Sequence, residues 1–161
     1  MPEPTTHKED SIHLRAAQSQ HLSEVIQIAR EARLSEWTIA DYTNEVNRKD
    51  SIFLVATDAS ERVLGFIVGR HVIDNPSRAD SFAEIYNIAV HSSLERKGIG
   101  SQLLKSFIST LGDLGIAEIF LEVRSKNIRA IEFYCSQGFE VSGIRKSYYP
   151  ADDAILMKSI L

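Results

Sequence analysis

The chain has 161 residues, 43% of them hydrophobic and 25% charged. That is enough for one domain that buries roughly 70% of its unfolded surface without staples. The net charge of −4, from 18 basic and 22 acidic side chains, speaks against broad affinity for nucleic acid or an anionic membrane, both of which select a basic excess.

One cysteine, Cys135, excludes an internal disulfide and a cysteine-based zinc site. The five histidines show no metal-ligand spacing, so no metal is expected. No apolar run approaches the ~20 residues of a membrane span. The opening MPEPTTHKEDS lacks the basic and apolar stretches of a signal peptide. A soluble, cytoplasmic protein is expected. The charge is uneven: residues 1–80 hold 9 basic and 13 acidic groups, residues 81–161 hold 9 of each.

Residues 1–10 are polar, contain two prolines and are expected to form a flexible tail, with the domain spanning 11–161. Ile12, Leu14 and Ala16 alternate with polar neighbours, the period of a strand. Over 19–33, Leu22, Val25, Ile26, Ala29 and Ala32 share a helical face. Thr38 is placed to cap a second helix over 39–48. Ser51–Thr57 and Val63–Ile73 read as a hairpin around the turn Asp58–Glu61. The stretch 74–80 reads as a loop and Ala83–Val90 as another strand.

The period then changes. From Gly98 to Leu111, Ile99, Leu103, Leu104, Phe107, Ile108 and Leu111 mark one helical stripe, with Gly112 and Gly115 expected to end it. Ile116–Val123 reads as a buried strand. Asn127 can cap a helix that Gly138 stops. Two strands near 139–147 and 153–160 flank a turn at 149–152. The order βααβββαβαββ defines an α+β, mixed α/β domain around one sheet.

Three features carry chemistry. Gly98 and Gly100, between a strand and a helix, let backbone approach a ligand where free amides and the positive end of the helix dipole favour an anion; a plain helix start accounts for the same glycines. Glu122, inside the strand IFLEVR, either pairs with a cation such as Arg124 or moves a proton. Tyr134 follows Ile128 and Ile131 at helical spacing, which suits a core tyrosine as well as a catalytic one, and Asn127 needs no role beyond capping. Trp37 reads as a pocket wall or a core plug. Of Tyr148 and Tyr149, adjacent on a strand, only one can face a given pocket.

Taken together, IYNIAVHSSLERKGIGSQLL, LEVRSKNIRAIEFYCSQGFE and IRKSYYP resemble the GNAT superfamily of N-acetyltransferases, over about residues 84–158. Within it the nearest likeness is to the bacterial ribosomal-protein-alanine N-acetyltransferases. The resemblance implies a single domain with a mostly antiparallel, twisted central sheet and about four flanking helices. It implies acetyl-CoA as co-substrate and a protein or peptide N-terminus as acceptor. By position, Ile88, Ala89 and Val90 would bind the pantetheine arm through their backbone. The run Arg96, Lys97, Gly98, Ile99, Gly100 and Ser101 would wrap the pyrophosphate, and Asn127 would hydrogen-bond the arm. Glu122 matches the general base and Tyr134 the general acid, with Trp37, Tyr148 and Tyr149 near the acceptor. Two departures stand out. Glu95 occupies a position where the superfamily usually has Arg or Gln, and the turn between Tyr149 and Asp153 is short. A small amine or a lysine side chain as acceptor, a non-catalytic acyl-CoA-binding module and a nucleotide-binding protein are the competing readings.

Overall fold

The computed structural model describes residues 11–34, 37–73 and 81–161. The expected tail 1–10 and loop 74–80 lie outside the described residues. Seven strands form one sheet: β1 (His13–Ala16), β2 (Ser51–Thr57), β3 (Val63–Val72), β4 (Phe82–Val90), β5 (Glu118–Arg124), β6 (Glu140–Tyr149) and β7 (Asp152–Ile160). Their spatial order is β1-β2-β3-β4-β5-β7-β6. Every neighbouring pair is antiparallel except β4 and β5, which run parallel. The helices are α1 (Leu22–Glu31), α2 (Ile39–Asn47), α3 (Ile99–Asp113) and α4 (Ile128–Ser136).

The two faces of the sheet have separate cores. On one face, Val25, Ile28 and Ala29 of α1 and Tyr42 of α2 pack on Phe53, Val55, Phe66 and Val68. On the other, α3 packs on Ile67, Ala83, Ile85 and Leu121, with Tyr134 of α4 in the same cluster. Leu103, Leu104, Phe107 and Leu111 are fully buried, each contributing roughly 1.5–3 kcal/mol relative to exposure. The α3 stripe is the one its spacing announced.

Local chemistry sets the helix ends. Thr38 and Asp41 form a reciprocal capping box, Asp41 N–H donating to Thr38 Oγ1 at 3.3 Å and Thr38 N–H to Asp41 Oδ2 at 2.6 Å. These bonds hold the Asp41 carboxyl below the usual carboxylate range, the backbone bond from Thr38 contributing most.

Several boundaries differ from the sequence reading. A 3₁₀ turn at Ser19–His21 precedes α1, and Ile28 rather than Ala32 lies on its buried face. Gly112 sits inside α3. The helix stops at Gly115, whose φ is 73°, with Ile116 N–H closing on Leu111 O at 3.0 Å. Ile128 is 56% exposed, so the stripe expected through Tyr134 is not continuous. The last hairpin narrows to Pro150–Ala151 between β6 and β7.

Candidate active site

The cleft begins at an irregularity in β4. Val68 of β3 faces Asn87, but the next residue, Gly69, faces Ile85, so Tyr86 is an extra residue on β4. A bulge of this kind turns two successive side chains to one side and bends the strand. Tyr86 and Asn87 both face the α1–α2 layer: Tyr86 packs against that core, and Asn87 Nδ2 donates to Tyr42 Oη at 3.4 Å. Pairing with β5 ends at the same point. The β4–β5 ladder covers only Ala83–Ile119, Glu84–Phe120 and Ile85–Leu121. Beyond it the strands part, and among the described residues the β5-facing edge of Tyr86–Val90 has no strand partner. A cleft of about 840 Å³ occupies the opening.

Ile88, Ala89 and Val90 form one wall of this cleft. Arg96, Gly98, Ile99, Gly100 and Ser101 close one end of it. Gly98, at φ 80°, caps α3 without a side-chain acceptor, and the first intrahelical bond is Gln102 N–H to Gly98 O at 3.0 Å. The amides of Ile99, Gly100 and Ser101 therefore have no intrahelical acceptor and lie at the positive end of a 15-residue helix. A Cβ on Gly100 would stand at an ordinary 3.6 Å from Phe133, so nothing in the protein itself requires glycine there, whereas a ligand held against the amides would. Glu95, the unexpected carboxylate, is turned onto Arg129 of α4 at 2.7 Å. Both side chains are exposed, so the pair adds little stability, but it offsets a charge that would oppose an anion.

Glu122, Asn127, Tyr134 and Tyr149 line the opposite side of the cleft. Asn127 caps α4, Oδ1 accepting from Ala130 N–H at 3.2 Å, which leaves its amide hydrogens for a ligand. Glu122 is 22% exposed, and its Oε1 lies 3.1 Å from Arg145 Nη1. Arg145, on the sheet's outer strand, replaces the expected partner Arg124. The Arg124 guanidinium instead covers the Tyr149 ring at 4.1 Å. Tyr134 is buried against Phe133 and Phe139. Burial pushes its phenol well above the ordinary value, so it stays protonated near neutral pH.

Lys97, Trp37 and Tyr148 lie outside the cleft lining. Lys97 is exposed. Trp37 stacks on Tyr42 and Tyr86 at 5.0 and 5.8 Å, and Tyr148 lies beneath Arg145 at the hairpin. Two residues on the α1–α2 side were not singled out in the sequence: Tyr86, which lines the cleft, and Glu84, one step further down β4. Glu84 is the one charge within AEIYNIAV, a signal that was available. Among the described residues, no group of three or more His, Cys, Asp or Glu side chains could hold a metal, and no helix is long and apolar enough to cross a membrane.

A parallel strand pair that opens beside a helix N-terminus with free amides offers an edge to an extended ligand and a seat to its anionic end. The chain belongs to the acetyltransferase (GNAT) family, whose profile matches residues 22–139. It is 32% identical over 135 residues to the ribosomal protein bS18-alanine N-acetyltransferase of Salmonella typhimurium, covering 81% of this chain and 85% of that protein. The crystal structure of the ribosomal-protein-S18-alanine N-acetyltransferase from Escherichia coli matches with a TM-score of 0.77 at 27% identity, over 93% of this chain and 94% of that one. Ard1 from Thermoplasma volcanium matches with a TM-score of 0.83 at 28% identity, over 93% and 97% of the two chains.

Proposed function

We propose that this acetyltransferase moves the acetyl group of acetyl-CoA onto the N-terminal α-amino group of a protein, such as a ribosomal protein that begins with alanine, in the cytoplasm. The observation that carries this reading is the opening between β4 and β5, with uncapped α3 amides at one end and Glu122 on the far side. The relatives that act on the alanine of a ribosomal protein support the choice of acceptor.

The diphosphate sits on the amides of Ile99, Gly100 and Ser101 with Arg96 beside it. The pantetheine arm adds to the unpaired edge of β4 at Ile88–Val90 in the manner of a strand, and Asn127 donates to it. Main-chain N–H near Ile88 stabilises the oxyanion. An α-amine, with a pKa near 8, is roughly one tenth neutral at pH 7, whereas a lysine amine near 10.4 is neutral in less than about one thousandth. A carboxylate base is therefore better matched to an N-terminus. Glu122 draws one proton from the ammonium, nitrogen attacks the thioester carbon, the C–S bond breaks, and nitrogen's surplus proton passes to the departing sulfur, which the Tyr134 hydroxyl supports.

The test is thiol release from acetyl-CoA with an alanine-starting peptide, a lysine peptide and a polyamine. The peptide N-terminus should react fastest. Glu122→Gln should lower the rate about a hundredfold near pH 7, with recovery at high pH, and Tyr134→Phe should lower it about tenfold. Faster reaction of the lysine peptide or the polyamine would overturn the acceptor assignment. Acetyl-CoA binding without turnover on any amine would make the protein an acyl-CoA-binding module.

A further inference from the structure

The end of α4 meets the anion end of the cleft at one polar contact. The helix closes on Gly138, whose φ is 91°. Gly138 N–H donates to Cys135 O at 3.1 Å and Phe139 N–H to Tyr134 O at 3.0 Å, with the Tyr134 and Phe139 rings 5.6 Å apart. These are the paired closing bonds and the apolar contact of a left-handed helix stop. Gln137 sits just inside it, with its own N–H on the carbonyls of Phe133 and Tyr134. The backbone of Gln137 is therefore fixed, and its side chain leaves α4 in a set direction. It reaches the first turn of α3, where Nε2 donates to Ser101 Oγ at 3.1 Å. The contact is partly buried and joins positions 36 apart.

A hydroxyl inside a helix commonly turns back onto the carbonyl four residues earlier. Thr43 does so on Ile39 O at 2.7 Å, and Thr110 of α3 on Ser106 O at 3.0 Å. Ser101, in the same helix as Thr110, makes no such bond among the described residues; its oxygen is held by Gln137 instead. A hydroxyl has one proton and two lone pairs. Gln137 donates into a lone pair, and among the described residues no acceptor takes the proton. A hydroxyl that accepts one hydrogen bond is polarised into a better donor of the next. Ser101 lines the cleft and Gln137 does not, so the serine alone can meet a ligand there, with the glutamine acting from behind it.

We propose that Gln137 is a positioning residue for the diphosphate of the acetyl donor: it holds Ser101 Oγ so that the hydroxyl proton adds a fourth donor to the three free amides of the α3 turn. This deepens the acetyl-CoA reading of the cleft and rests on it. The amide is the functional choice at position 137. A carboxylate there could only accept, so it would claim the serine proton for itself. An aliphatic side chain would leave Oγ to swing back onto Lys97 O, in the manner of Thr43 and Thr110. A donor behind the oxygen locks the serine rotamer and leaves its proton for the anion.

The experiment measures kcat/KM on an alanine-starting peptide with two donors: acetyl-CoA, and S-acetyl-pantetheine, which carries the same thioester arm without the diphosphate. Gln137→Met keeps the side-chain length and removes the amide. We expect it to raise KM for acetyl-CoA about threefold with kcat within about twofold. The preference for acetyl-CoA over S-acetyl-pantetheine should fall by the same factor. Ser101→Ala should lower that preference about fivefold. The double variant should match Ser101→Ala, because the glutamine then has no hydroxyl to hold; independent losses would multiply to about fifteenfold. Gln137→Ala, a second truncation, should repeat the Gln137→Met result. An active wild type whose donor preference survives both truncations would overturn the inference alone. So would losses that multiply in the double variant. A loss equal for the two donors and accompanied by a lower melting temperature would do the same, since it marks a clip between helices. A wild type that transfers acetyl from neither donor to any amine would overturn the acetyl-transfer reading and this inference with it.

Discussion

The two sides of the cleft are built from different materials. On the α3–α4 side the groups facing a ligand are largely main chain: the edge of β4, the first amides of α3 and one capping asparagine. On the α1–α2 side they are charged and aromatic side chains, Tyr86 and Glu122, the latter paired with Arg145. Main-chain groups are held by the folding of the whole element, so they suit a ligand that never varies. Side-chain charge can be exchanged one residue at a time without rebuilding the sheet, which suits the partner whose identity has to be chosen.

The sharpest way to break this division is at Gly98. A Cβ there would meet nothing within 4 Å, so the obstacle is the left-handed φ of 80° alone. A β-branched residue held in that region costs about 1–3 kcal/mol. Gly98→Val should turn the α3 amides aside and raise KM for acetyl-CoA at least about tenfold, leaving KM for the acceptor nearly unchanged. Gly98→Asn, which tolerates that region better, should cost about twofold to threefold. If both Michaelis constants rise together, the two sides are not independent. A smaller effect is expected at Asn127. Serine caps a helix about as well as asparagine but lacks the amide donor. Asn127→Ser should weaken acetyl-CoA binding about fivefold, the value of one hydrogen bond near 1 kcal/mol, at unchanged melting temperature. Loss of stability instead would reduce Asn127 to a cap. The smallest effect concerns the charge division along the chain. Raising ionic strength should increase KM for both acetyl-CoA and a cationic peptide about twofold to threefold through screening of long-range attraction. Constancy of both would make the acidic excess of residues 1–80 incidental.

Where local rules act, the sequence was informative. The α3 stripe, the Asn127 and Thr38 caps and the order of elements along the chain needed only spacing and capping chemistry. Gly112 shows the limit of a glycine rule: it stays helical, α3 runs on to Asp113, and the left-handed turn falls on Gly115. The charge pairs were not legible. Arg145 reaches Glu122 because β7 lies between their strands with Leu156 opposite Glu122 and Ala154 opposite Arg145. That register depends on a β6 irregularity between Val141 and Gly143 that no residue pattern announces. Glu95 on Arg129 is a similar case, joining a loop to a helix 34 positions later. Glu84 was visible as a lone charge in an apolar strand; that Arg70, opposite it in the ladder, is committed to Glu45 was not.

The short last hairpin has a kinetic consequence. Its turn is fastened to the loop between β5 and α4: Ser125 Oγ donates to Asp152, Ser125 N–H to Asp153 O at 2.9 Å, and Lys126 Nζ to Ala151 O at 2.9 Å. Asp152 also accepts from Lys126 N–H at 3.4 Å, and these bonds, Ser125 first, hold its carboxyl below the usual range. A two-residue turn tethered in this way has no hinge of its own. The rim beside Tyr149 is a fixed kerb rather than a gate, so a product leaves the open cleft with no hairpin swing to set the pace of each cycle.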